Sequence, residues 1–102
     1  MLAGDVAKLD SDDPLALLQH WYLSRCDGEW EHQRGITIES LDNPGWRIAI
    51  DLGAMVERDW TTVERTERDW LHWRATSGRF EAGCGPLNLA EAIRVFLAVA
   101  GE

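Results

Sequence analysis

Apolar and polar residues alternate along this chain in two rhythms, and the switches between them mark its elements. Asp13 before Pro14 is a helix-opening pair, because the aspartate side chain accepts backbone N–H bonds and proline suits the first helical position. Leu15, Leu18 and Tyr22 follow at helical spacing with Gln19 and Arg25 opposite, which predicts a helix over about 13–26. Asp27-Gly28 ends it, since glycine readily takes the left-handed conformation that closes helices. From Gly35 the period becomes two: Ile36 and Ile38 alternate with Thr37 and Glu39, and Asp42-Asn43-Pro44-Gly45 is a strong turn signal. Trp46, Ile48 and Ile50 then alternate with Arg47, Ala49 and Asp51, so one face of this hairpin is expected to be buried.

Between Gly53 and Glu67 the apolar positions Met55, Val56, Trp60 and Val63 fit neither period, and a short strand is the expectation there. Trp70 to Ala75 and Arg79 to Ala82 flank Ser77-Gly78 and predict a second hairpin built on aromatic strand residues. After Gly83-Cys84-Gly85-Pro86, Asn88 stands as an N-cap with Glu91 three residues on, a variant of the capping box. Leu89, Ile93, Phe96, Leu97 and Ala100 form the stripe of a last helix that Gly101 closes. The predicted architecture is α+β: an antiparallel sheet of three to five strands in meander order, flanked by an N-terminal and a C-terminal helix. Residues 1–12 show no period and are expected to be a flexible leader, with 13–102 a single domain. The tetrapeptide Glu-Arg-Asp-Trp ends at both Trp60 and Trp70, too short a recurrence for a repeat architecture.

Composition narrows the function classes. With 102 residues, 45% hydrophobic and 27% charged, the chain has ordinary globular composition, and at this length roughly 65% of the unfolded surface is buried on folding. The longest apolar run, Val95 to Ala100, is far short of the roughly 18 residues of a membrane span. The first ten residues lack a basic segment followed by an apolar one, so no secretory signal is expected and the cytoplasm is the expected location. Two cysteines, Cys26 and Cys84, are too few for a disulfide scaffold and read as free, structural thiols. A formal charge of -8 repels phosphate backbones and anionic lipids, so neither nucleic acid nor a membrane is an expected partner. The same charge speeds encounter with a basic protein, or serves solubility alone.

Candidate chemistry is sparse. The stretch from His20 to His32 gathers Cys26, two histidines, Asp27, Glu29 and Glu31, yet it has no HExxH or paired CxxC, and no metal or cofactor is expected. Cys26 with His32 lacks a recognisable orienting context, and Glu29 and Glu31 would point to opposite faces if the segment is extended, so no catalytic residue is assigned. Six tryptophans stand out. Trp46 and Trp73 share strand faces with apolar residues and read as core. Trp30 and Trp60 have polar neighbours and suit either an interface or a tucked ring. An acidic aromatic loop of Asp27, Glu29, Trp30 and Glu31, with Asp42 at the hairpin turn, is the candidate surface for a cationic protein partner. A solvated loop over a buried Trp30 is the other reading. A small metal- or thiol-dependent enzyme around Cys26 and His32, or a structural subunit of an assembly, are the rival functions.

Several of these stretches together resemble the immunity protein 53 family of bacterial polymorphic toxin systems. They are Trp21-Tyr22, Cys26-Asp27-Gly28-Glu29-Trp30-Glu31-His32, Leu41 to Trp46 continuing through Ile50-Asp51-Leu52, Asp69-Trp70, and Gly83 to Leu89. The likeness spans residues 15 to 100 and blurs between 54 and 66, where this chain is richer in charge. It implies a protein without catalytic residues that binds and occludes a cognate toxin domain. A nuclease with a basic surface is the toxin class that the acidic charge would complement.

Overall fold

The computed structural model describes residues 13–53 and 57–101. The expected leader and the pair Met55-Val56 lie outside them. Helix α1 (Pro14–Arg25) opens as the sequence predicts: Asp13 Oδ1 accepts the Leu15 N–H at 3.1 Å and proline occupies the first turn. Its buried stripe is rotated from the expected one. Pro14 and Leu18 are buried and Trp21 packs on the core, while Leu15 and Tyr22 stay exposed. A short helix, α2 (Trp30–Gln33), follows. Then come β1 (Ile36–Leu41), β2 (Gly45–Asp51), β3 (Arg58–Glu64), β4 (Trp70–Thr76), β5 (Arg79–Cys84) and α3 (Leu89–Ala100).

All strand pairings are antiparallel, and the order across the sheet is β1-β2-β5-β4-β3. The α+β class and the flanking helices are as expected, but this order replaces the expected meander. The hairpins meet through β2 and β5, whose Ile48, Ala49, Ile50, Phe80, Ala82, Gly83 and Cys84 are all buried. Such apolar and small residues suit the centre of a sheet, whereas β3 is exposed along its whole length and occupies an edge. The β4–β5 turn has φ of 54° at Ser77 and 78° at Gly78, the two positive values that a two-residue hairpin turn requires.

One face of the sheet carries the core. Ile48 and Ile50 of β2, Phe80, Ala82 and Cys84 of β5, and Leu71 and Ala75 of β4 form a buried layer. Helix α3 covers it with Ala92, Ile93, Phe96 and Val99, and α1 packs on α3. Rings continue this layer: Phe80 meets Phe96 at 5.4 Å, Phe96 meets Trp21 at 4.8 Å, and Trp21 meets Trp30 at 5.9 Å. Trp73 and Trp46 pack against the core as expected. Trp73 stacks on Phe80 at 5.9 Å, and the Trp46 indole N–H donates to the Pro86 carbonyl at 3.0 Å.

Asn88 begins α3 by its backbone, which accepts the Ala92 N–H at 2.9 Å, but its side chain does not cap the helix. The amide donates instead to Asp69 at 2.9 Å and to Glu91 at 3.0 Å, because two carboxylates face it and Arg65 bridges both of them. This network ties the β3–β4 turn to the first turn of α3.

Candidate functional site

The expected acidic loop folds back on itself. After α1, Asp27 Oδ1 accepts the backbone N–H groups of Glu29 and Trp30, both at 2.9 Å, and thereby starts α2. Glu31 reaches back the other way, accepting the N–H of Asp27 at 3.0 Å and of Gly28 at 2.9 Å. These bonds favour the charged carboxylates. Asp27 is held below the usual carboxylate range chiefly by the Trp30 N–H and then by that of Glu29. Glu31 is lowered first by its own backbone N–H and then by those of Asp27 and Gly28. Trp30 is half-buried with its edge on Trp21 and on Tyr22 at 6.0 Å.

The loop is therefore ordered by its own carboxylates, and Glu29, whose side chain accepts no hydrogen bond among the described residues, remains fully presented. Beside it a hollow of about 450 Å³ lies between α1 and the start of β1, lined by Leu18, Tyr22, Arg34 and Ile36 among others. Asp42 belongs elsewhere. It sits in the β1–β2 turn, at the far end of β1 from the loop, and six residues of strand put it about 20 Å away. The structure thus groups Asp27, Glu29, Trp30 and Glu31 and separates Asp42 from them.

Sequence reasoning missed a second surface. Helix α3 packs on the core face of the sheet, and on the other face β4 and β5 place His72, Arg74, Glu81 and Gly83. Trp60 joins them from β3, two residues before Thr62, which pairs with His72. Trp60 is 52% exposed; its ring meets the edge of His72 at 5.1 Å and carries the Arg74 guanidinium at 4.8 Å. Trp70 closes the other side of His72 at 5.6 Å, so the two tryptophans of the recurring tetrapeptide flank one imidazole. The face is held by ion pairs: Arg74 to Glu81 at 2.9 Å, Arg47 to Glu39 at 3.2 Å and Arg47 to Glu81 at 3.9 Å.

In the middle lies a hollow of about 430 Å³ lined by Leu41, Asn43, Arg47, Trp60, Trp70, His72, Arg74, Glu81 and Gly83 among others. Gly83 lets His72 lie close on the sheet, because a Cβ there would stand 2.8 Å from His72 Nε2 and the imidazole would have to move. The signal in the sequence was the alternation of His72 and Arg74 with Leu71, Trp73 and Ala75, but only the placement of the helices says which alternate set stays uncovered.

Among the described residues no group of three or more His, Cys, Asp or Glu side chains could hold a metal ion. Cys84 is fully buried at the end of β5, and burial pushes its thiol up to about 11. Cys26 donates its thiol to the Tyr22 carbonyl at 3.4 Å. Both cysteines are free. No helix among the described residues is long and apolar enough to cross a membrane.

The family model for immunity protein 53 matches residues 15–101. The chain belongs to the immunity protein 53 family. The match runs from α1 to the end of α3 and includes both candidate surfaces. Searches among curated proteins and solved structures found no match. Membership supports an immunity function against a toxin and, with it, a role exercised through binding.

Proposed function

We propose that this chain is an immunity protein that binds and neutralises a cognate bacterial toxin domain by covering the surface through which that domain acts. Family membership is the observation that carries this reading. In this reading the protein works in the cytoplasm as a stoichiometric inhibitor and takes no cofactor, no nucleic acid and no membrane as its partner. The acidic loop is the contact surface we assign: Glu29 meets cationic groups directly, Asp27 and Glu31 hold the loop's shape and add negative potential, and Trp30 gives an apolar centre. Asp42, at the β1–β2 turn and apart from the loop, is a second acidic contact in this reading. The net charge of -8 supports a toxin with a basic surface, and a nuclease active site is the class we assign.

Protection against a few toxin molecules in a cell needs a nanomolar or tighter complex, about -12 kcal/mol. An interface of roughly 1,600 Å² can supply it when a few aromatic or charged side chains are well desolvated. The test is the association kinetics of the purified chain with the toxin domain encoded beside its own reading frame, at low and physiological salt. Steering predicts that association slows several-fold with salt while dissociation barely changes. Association rates equal across that range would remove electrostatic complementarity from the account.

A further inference from the structure

We propose that the sheet face opposite α3 is a second contact with the toxin, and that the hollow beside Trp60 receives a carboxylate there, an aspartate or glutamate side chain of the toxin domain. This rests on the toxin-binding reading and adds to it a second contact and the chemistry of the group that it reads. The hollow is lined by two guanidinium groups, Arg47 and Arg74, and by one carboxylate, Glu81, which they share at 3.9 and 2.9 Å. A lysine or arginine entering it would have to displace one of the two from Glu81. Glu39 also pairs with Arg47, but it lies outside the lining, and the pair is exposed on both sides, a kind that yields readily to a better partner.

Unspent hydrogen-bond donors select the occupant. Arg74 uses only Nε, on Glu81 Oε1, and neither of its terminal nitrogens donates to a described residue. Arg47 uses Nη1 on Glu39, and its Nη2, 3.9 Å from Glu81, is beyond hydrogen-bond reach. Arg74 is also preset. Its guanidinium lies over the Trp60 ring at 4.8 Å and its Nε is fixed by Glu81, which leaves the end of the fork free for two parallel N–H bonds to a carboxylate. Trp60 is 52% exposed beside it, and tryptophan and arginine are the side chains in which interface energy concentrates. Net charge decides between carboxylate and phosphate: at -8 the whole surface repels a polyanion such as nucleic acid, whereas a single carboxylate carried on a basic domain arrives with that domain.

The experiment is a set of double-mutant cycles on the complex with the purified toxin domain at physiological salt, with thermal melts and sedimentation of each variant alone. Arg74→Gln is combined with Asp→Asn and Glu→Gln substitutions across the toxin domain's surface. Arg74→Gln should weaken binding roughly ten-fold or more, and Arg74→Lys should not restore it, because lysine keeps the charge and loses the fork. Neutralising one toxin carboxylate should cost as much against the wild-type chain and almost nothing against Arg74→Gln. Thr62, exposed on the same face opposite His72, gives an independent variant should the Arg74 chains prove unstable. Thr62→Glu sets a competing carboxylate next to Trp60 and His72 and should weaken binding several-fold, whereas steering by overall charge alone would leave it equal or tighter. Wild-type affinity in both Arg74→Gln and Thr62→Glu overturns the proposal and leaves toxin binding to the loop. A loss in Arg74→Gln that couples to no toxin carboxylate overturns it as well. So does a wild-type homodimer that Arg74→Gln dissociates, since a second copy would then be the occupant. A wild-type chain that does not bind the toxin domain removes the toxin reading and this site with it.

Discussion

Replacing Phe96 by alanine tests the packing on which the acidic loop depends. Phe96 has no exposed surface and stands between Phe80 of the sheet and Trp21 of α1 in two edge-to-face contacts, at 5.4 and 4.8 Å. Truncating a buried phenylalanine costs about 3–5 kcal/mol in lost transfer energy and residual cavity. The ring geometry adds about 0.5–1.5 kcal/mol per aromatic pair beyond area, which places this site near 4 kcal/mol or above. A domain of this size has about 5–15 kcal/mol in total, so the variant should remain folded in buffer with a much reduced margin. Urea unfolding followed by far-UV circular dichroism reads the change. With an m-value of roughly 1.5 kcal/mol per molar, the midpoint should fall by about 2–3 M. Trp21 carries Trp30, so the loss should reach the loop: amides of residues 27–31 should exchange with solvent faster than in wild type. Leu23→Ala, on an α1 side chain that is 67% exposed, should shift stability by less than about 0.5 kcal/mol. A loss below about 1.5 kcal/mol for Phe96→Ala would refute the reasoning, because the rings would then not be the close-packed link between sheet and loop.

Acid should unfold the protein partly through the network at the start of α3. Asp69 is held low mainly by the Asn88 amide and then Arg65, and Glu91 mainly by Arg65 and then Asn88. Their folded values lie below their unfolded ones, so their contribution is complete above about pH 4–5 and is lost as pH falls through the folded values. Melting temperatures from pH 6 down to 3 should therefore fall less steeply in Glu91→Gln than in wild type, and parallel slopes would discount the network. The two thiols should separate chemically: iodoacetamide at pH 8 should alkylate Cys26 in the native protein and reach Cys84 only on unfolding, as intact mass will show.

Much of this architecture was legible because local signals agreed with the tertiary result. Asp13-Pro14 opens α1, the alternation of Trp46, Ile48 and Ile50 marks the buried face of β2, Ser77-Gly78 makes the tight β4–β5 turn, and Ile93 and Phe96 face the core. What could not be read locally depends on distant partners. The junction of the hairpins pairs Trp46 with Cys84 and Asp51 with Arg79, and nothing in either strand alone announces the other. Asn88 looked like a side-chain cap, but Asp69, arriving from the β3–β4 turn, draws its amide away from the helix. The helical turn at residues 30–33 had no sequence signal that was read, and it forms where Asp27 accepts the N–H groups of Glu29 and Trp30 while Glu31 reaches back to those of Asp27 and Gly28. Trp60 could not be assigned from its polar neighbours, since its exposure follows from which face of the sheet the two long helices cover.

The most direct test of the account is a titration of the toxin domain's activity with the purified chain. The account predicts a linear loss of activity that reaches zero at one chain per toxin, with a nanomolar or lower dissociation constant and no modification of the toxin's mass. Full toxin activity in the presence of excess chain would contradict it, and so would inactivation by a small fraction of an equivalent, which would make the chain an enzyme.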